Sequence, residues 1–218
     1  MLINGIENAL RSLGMLDGEP ETRDIVEIGQ FTWLRSPAEG MWYPSVEVGA
    51  RVAEGRWEPI GGSWLEPDGQ VTGGEAYVRQ LFYGQRYFEK TFGRRSTVAW
   101  LPDVFGFSAG IPQLLRGAGL TGFFTIKLNW NEADVFPYDL FAWVGLDGTS
   151  VTAHMFLNPG HGYNGNIVPL DTRGTWNNFR GKRLHPESLL AFGWGDGGGG
   201  PTESMLENYG RIKDFPAL

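Results

Sequence analysis

No cysteine occurs in this 218-residue chain. Its absence excludes disulfides, thiolate metal sites and a cysteine nucleophile, and it fits a reducing compartment, so the expected location is cytoplasmic. Histidine is scarce as well: His154, His161 and His185 are the only three. They complete no local zinc motif, and with no Gly-x-Ser-x-Gly elbow a Ser-His-Asp arrangement has little to build on. Positive charge is also in deficit, with 18 Lys and Arg against 25 Asp and Glu and a net charge of -7. Basic residues cluster no further than pairs such as Arg94-Arg95 and Lys182-Arg183, which argues against a nucleic-acid partner. No apolar run approaches the roughly eighteen residues of a membrane span, and no basic region followed by an apolar core opens the chain, so no membrane partner is expected.

What is abundant is aromatic: 9 Trp, 7 Tyr and 14 Phe, within a chain that is 41% hydrophobic and therefore able to bury a core. Many of these rings stand beside Gly, Asp, Asn or Pro rather than inside apolar runs. Rings among polar loop residues suit the faces of sugars; a Trp-rich core is the other reading.

The periodicity alternates between strand and helix. Residues 1–30 read as a poorly organised segment and residues 31–218 as part of one α/β domain. A helical pattern covers 44–55, a short strand is expected at 63–65, and Glu66-Pro67-Asp68-Gly69 reads as a turn. From Gly74 the apolar positions Tyr77, Val78, Leu81, Phe82, Tyr87 and Phe88 recur at helical spacing until Phe92-Gly93 closes the helix. A buried strand at 96–101, a helix at 111–118 and a strand at 122–128 form a crossover unit. Leu146-Asp147-Gly148-Thr149 joins two strands as a hairpin, and residues 176–183 read as helical. No internal repeat is visible.

Chemistry concentrates on carboxylates. Trp100-Leu101-Pro102-Asp103-Val104-Phe105-Gly106-Phe107-Ser108 places Asp103 at the carboxyl end of a buried strand, where α/β folds keep their active sites. An Asp there either caps the following helix or works as a carboxylate among aromatic rings. Gly195-Asp196-Gly197-Gly198-Gly199-Gly200-Pro201-Thr202 superficially resembles a phosphate cradle, but it lacks the Lys of a Walker loop, and Pro201 removes an amide. A ligand loop in which Asp196 approaches bound hydroxyls, or a surface turn, fits it better. Glycoside cleavage needs two carboxyl groups, and Asp103 with Asp196 is the leading pair. Glu66, Asp68 and Glu75 are rivals with ready structural roles in the turn and the first turn of a helix.

Taken in order, Gly55-Arg56-Trp57-Glu58-Pro59-Ile60-Gly61-Gly62-Ser63-Trp64-Leu65-Glu66-Pro67-Asp68, then Gly74-Glu75 with Val78-Arg79-Gln80-Leu81-Phe82, the Asp103 segment, and Phe192-Gly193-Trp194-Gly195-Asp196 resemble the family 38 glycoside hydrolases, the retaining α-mannosidases. The resemblance runs over residues 31–210. It implies a partial seven-stranded parallel β/α barrel-like domain, and a mannose-containing oligosaccharide as partner. It also implies Asp103 as nucleophile and as a ligand of a catalytic Zn2+, with Phe105, Lys127 and Asp196 binding substrate and a homo-oligomer for the full-length enzyme. The family's acid loop reads Gly162-Tyr163-Asn164-Gly165-Asn166 here; an asparagine donates no such proton, so no acid is assigned. The family's upstream His-x-His-x-Asp segment has no counterpart, since no histidine precedes His154. One of the four expected zinc ligands is present, and the expectation is a fragment with little or no activity of its own. The alternative is a non-catalytic carbohydrate-binding α/β domain.

Overall fold

The computed structural model describes residues 25–28, 31–35, 42–44, 48–155, 158–195 and 200–212. The expected poorly organised segment 1–30 therefore lies outside the described residues except for one strand. The chain divides into two compact units, one taking in residues 1–57, 164–173 and 191–218, the other residues 58–163 and 174–190.

In the first unit, β1 (Ile25–Ile28), β2 (Phe31–Arg35) and β3 (Trp42–Pro44) form an antiparallel sheet in that order, with Ile25 opposite Leu34 and Trp33 opposite Pro44. The helical pattern expected from residue 44 starts later, as α1 (Val48–Ala53), because Pro44 is committed to pairing with β2. Bridge pairing joins Gly165 to Phe192.

The second unit is built on α2 (Gly74–Phe92), β4 (Val98–Trp100), α3 (Ile111–Gly117), β5 (Gly122–Thr125), β6 (Leu140–Val144) and β7 (Ser150–Met155). Its sheet runs β4-β5-β7-β6; β4, β5 and β7 are parallel, and β6 returns antiparallel to β7 through the expected Asp147-Gly148 turn. Side chains alternate across this sheet. Ala99, Leu101, Phe123, Val151 and Ala153 share a core with Tyr77 and Leu81 of α2 and Ile111 and Leu115 of α3. The other set, Trp100, Phe124 and His154, stacks ring on ring: Trp100 on Phe124 at 4.2 Å and Phe124 on His154 at 5.8 Å, with Phe179 next at 5.9 Å.

Helix α2 spans the predicted residues and ends as expected, with Gly93 in the left-handed region at φ 68°. No strand forms at 63–65. Trp64 donates its N–H to the Gln80 carbonyl at 2.9 Å and Leu65 to Gln80 Oε1 at 2.9 Å, so this backbone pairs with α2 instead of a sheet. It passes so close that a Cβ on Gly84 would sit 2.4 Å from the Ser63 carbonyl carbon.

Helix α4 (Pro169–Asn178) starts earlier than the sequence pattern predicts. Pro169 is suited to a first helical turn, and Asp171 accepts the Asn166 N–H at 2.9 Å. It also ends earlier, since buried Asp139 takes the Arg180 N–H at 2.6 Å, and a 3-10 turn over Arg180–Arg183 follows. A last helix, α5 (Glu203–Ile212), buries Met205 in the first unit. Among the described residues no helix is long and apolar enough to cross a membrane.

Candidate active site

The parallel register of β4 and β5 creates the site. Trp100 is opposite Phe124, so the residues three beyond each strand partner, Asp103 and Lys127, emerge side by side. After Trp100 the ladder continues once more, Leu101 N–H to the Phe124 carbonyl at 3.0 Å. Buried Val104 then pins the loop to the core, and its neighbours Asp103 and Phe105 face outward. On the β5 side the predicted strand stops at Thr125, whose Oγ1 accepts the Lys127 N–H at 3.3 Å. A 3-10 turn over Lys127–Asn129 brings Trp130 round to the same place.

Lys127 Nζ lies 2.6 Å from Asp103 Oδ1, with the lysine side chain 3% exposed and the aspartate 47% exposed. The ammonium is seated among rings, 3.4 Å from the centroid of Trp130, 4.6 Å from Phe105 and 5.6 Å from Tyr163. A buried ammonium without such partners would be strongly disfavoured; the carboxylate and the π faces together compensate its lost water. Phe105 and Trp130 meet edge to face at 5.9 Å and keep 66% and 51% of their surface in solvent. The outcome is a half-open carboxylate with its counter-ion behind it and two open rings beside it.

A second carboxyl group approaches from the turn at 66–69. Glu66 Oε1 accepts the Asp103 N–H at 2.9 Å. Burial pushes the Glu66 carboxyl above its ordinary value and the Asp103 charge adds to the rise, while the Asp103 N–H and Lys127 oppose it. Asp68 does what the turn reading requires, accepting the N–H groups of Gln70 at 2.7 Å and Val71 at 2.6 Å.

Of the residues picked from sequence, Asp103, Phe105 and Lys127 come together. Asp196 lies outside the described residues, although the entry to its loop is defined: Gly193 N–H donates to the Gly165 carbonyl at 3.0 Å and Gly195 N–H to Asn164 Oδ1 at 2.7 Å. Three participants were not singled out as site residues. Glu66 ranked as a rival carboxylate with a ready role in the turn, although one Asp suffices to close that turn. Trp130 and Tyr163 each carried a signal, a ring beside Asn in the loop that follows a buried strand. His154 is a stacked sheet residue whose imidazole burial pushes below its ordinary value, with Asp139 opposing.

The chain matches the Glycosyl hydrolases family 38 N-terminal domain over residues 15–218. It belongs to that family. It is similar to Alpha-mannosidase 2C1 of Homo sapiens, 39% identical over 189 residues that cover 87% of this chain and 18% of the relative. Likewise it is 36% identical over 202 residues to the Alpha-mannosidase of Saccharomyces cerevisiae, covering 92% of this chain and 18% of that one. The chain thus spans about a fifth of the length of these relatives. A crystal structure of an alpha-mannosidase from Enterococcus faecalis V583 shares the fold, with a TM-score of 0.54 at 18% identity over 77% of this chain and 19% of that one.

Proposed function

We propose that this chain is a portion of the catalytic domain of a retaining α-mannosidase acting on mannose-containing oligosaccharides, with Asp103 as nucleophile. The observation that carries this reading is the setting of Asp103. Its carboxylate is half exposed, paired at 2.6 Å with a buried ammonium and flanked by the open rings of Phe105 and Trp130, in a family 38 chain.

In the double displacement, an Asp103 oxygen bonds to the anomeric carbon as the glycosidic C–O bond breaks, and the leaving oxygen takes a proton from a general acid to which no residue is assigned. Water then attacks the same carbon from the vacated face, giving a proton to the conjugate base of that acid as the ester bond to Asp103 breaks, and mannose leaves with its configuration retained. Phe105 offers an apolar face to the sugar ring, Lys127 a fixed positive charge behind the reacting carboxylate, and Asp196 hydroxyl contacts from the glycine-rich loop.

The zinc ion that the family resemblance implies, with Asp103 as one ligand, does not fit the donors described. No three His, Cys, Asp or Glu side chains converge among the described residues, and the Asp103 carboxylate already faces an ammonium. Zinc therefore stays a proposal for a longer enzyme that brings the other ligands, and no step above runs through it. To the same longer enzyme belong the seven-stranded barrel containing the present four strands, the inclusion of 31–218 in one domain, the cytoplasmic location and homo-oligomerisation. The 218-residue chain alone is read as weakly active or inactive.

The test uses a chimera in which residues 58–163 replace the matching residues of the Saccharomyces cerevisiae enzyme. Turnover of an aryl α-mannoside that disappears with Asp103→Asn is the expected result; equal turnover by that variant refutes the assignment. For the isolated chain, robust turnover abolished by Asp103→Asn contradicts the expected inactivity. Mannose binding measured calorimetrically, together with an inactive chimera, establishes the non-catalytic carbohydrate-binding reading instead.

A further inference from the structure

We propose that Glu66 is a positioning residue for Asp103, acting through the Asp103 main chain while Lys127 fixes its carboxylate. This rests on Asp103 being the working group of the site. Local turn chemistry does not account for Glu66, because Asp68 already takes the two N–H groups of that turn. Its carboxyl reaches across 37 positions of sequence to the Asp103 N–H at 2.9 Å and is half-buried there. A half-buried carboxylate needs a partner in place of the water it has lost, and the partner provided is the amide of the reactive residue.

The contact belongs to a longer splint. Three residues after Glu66 and four after Asp103, the same two segments meet again: Gly69 bridges Phe107 in parallel, and Ser108 donates its N–H to the Gly69 carbonyl at 3.1 Å. The approach there leaves no room for a side chain, since a Cβ on Gly69 would sit 2.3 Å from the Gly106 carbonyl oxygen. Glu66-Pro67-Asp68-Gly69 thus runs alongside Asp103-Val104-Phe105-Gly106-Phe107. It holds the loop at both ends, with Glu66 gripping the end that carries the nucleophile. The main chain of Asp103 is then fixed by its hydrogen bond to Glu66 and its carboxylate by Lys127, from separate elements, which sets the direction of its side chain rather than only its location.

The experiment is nuclear magnetic resonance on the 218-residue chain, which needs no turnover and so fails or succeeds independently of the mannosidase reading. Two signals are followed, the Asp103 amide proton and the exchange of the Lys127 ammonium with water. Glu66→Met, which keeps the bulk but accepts no hydrogen bond, should move the amide upfield. It should also speed ammonium exchange by about tenfold or more, the scale of one charge-assisted hydrogen bond. Glu66→Gln retains an acceptor oxygen at the same reach and should keep the amide downfield, with exchange within about twofold of the parent. If Glu66→Met does not fold, Glu66→Asp, one methylene too short, takes its place. An unchanged ammonium in Glu66→Met or Glu66→Asp overturns the proposal, because a role confined to holding the turn leaves Lys127 untouched. Faster exchange in Glu66→Gln than in Glu66→Asp overturns it too, by showing that charge and not the hydrogen bond matters.

Discussion

Removing the Asp103 carboxylate should cost more stability than removing the lysine it faces, and removing both should restore part of the loss. Asp103→Ala takes the carboxylate partner from a Lys127 side chain that is 3% exposed in the parent and leaves the ammonium against the faces of Trp130, Phe105 and Tyr163. Breaking a buried pair on one side costs about 3–5 kcal/mol; because Asp103 is 47% exposed, water can fill part of its place, and the expectation falls to about 2–3 kcal/mol. Lys127→Met behaves differently. It forfeits cation–π attraction of about 2 kcal/mol but removes the buried charge, lays a thioether against Phe105, Trp130 and Tyr163, and leaves a carboxylate that water can reach. Sulfur–aromatic contact returns about 0.3–1.5 kcal/mol, so the net change should stay within about 1 kcal/mol of the parent. Asp103→Ala/Lys127→Met should then be more stable than Asp103→Ala by about 1–2 kcal/mol, a coupling of the kind that double-mutant cycles resolve. Urea unfolding followed by circular dichroism at constant m-value measures all four chains. A double variant less stable than Asp103→Ala, or an Asp103→Ala chain indistinguishable from the parent, refutes the reasoning.

Three further outcomes follow from other parts of the second unit. Gly84→Ala in α2 should destabilise by about 1–3 kcal/mol despite the better helix propensity of alanine, since the new Cβ meets three backbone atoms at 2.4 to 2.6 Å. Gly117→Ala, with nothing within 4 Å, is the control and should be neutral or slightly stabilising in the same thermal melts. Arg180→Met should cost about 3 kcal/mol or more in urea, because it strips side-chain donors from Asp139, whose own side chain is 0% exposed. Burial depresses the His154 pKa, so the folded chain binds a proton less readily than the unfolded one, whose value is about 6.5. Stability from this residue is complete above that pH and declines as pH falls through it toward the folded value. His154→Phe, which keeps the stack between Phe124 and Phe179, should flatten that acid-side slope of the urea midpoint.

Much of this site was legible because strand patterns are local. The apolar run before Asp103 and the one before Lys127 each announced a buried strand, and adjacent parallel strands place their carboxyl ends together. Aligned motifs then indicated the family. What local pattern could not supply was register and tertiary competition. That Asp103 and Lys127 stand opposite depends on Trp100 pairing with Phe124, a fact of pairing between strands. Residues 63–65 had the composition of a strand, but Gln80 of α2 took their amides. The helix expected over 176–183 was cut by Asp139, a carboxylate 41 positions away that captures the Arg180 N–H. Glu66 stayed a rival rather than a chosen site residue for a related reason: Glu-Pro-Asp-Gly explains itself as a turn, and only the fold shows that its first carboxylate is engaged elsewhere.

The central claim is that Asp103 forms the covalent bond to the sugar. It is tested most directly by treating the chimera that carries residues 58–163 with a 5-fluoro-mannosyl fluoride, which slows breakdown of the glycosyl ester, and then mapping the modified peptide by mass spectrometry. The account predicts one added fluoromannosyl group on Asp103, absent from the Asp103→Asn chain. A label on Glu66 or on any other carboxylate, or the same label in Asp103→Asn, would contradict it.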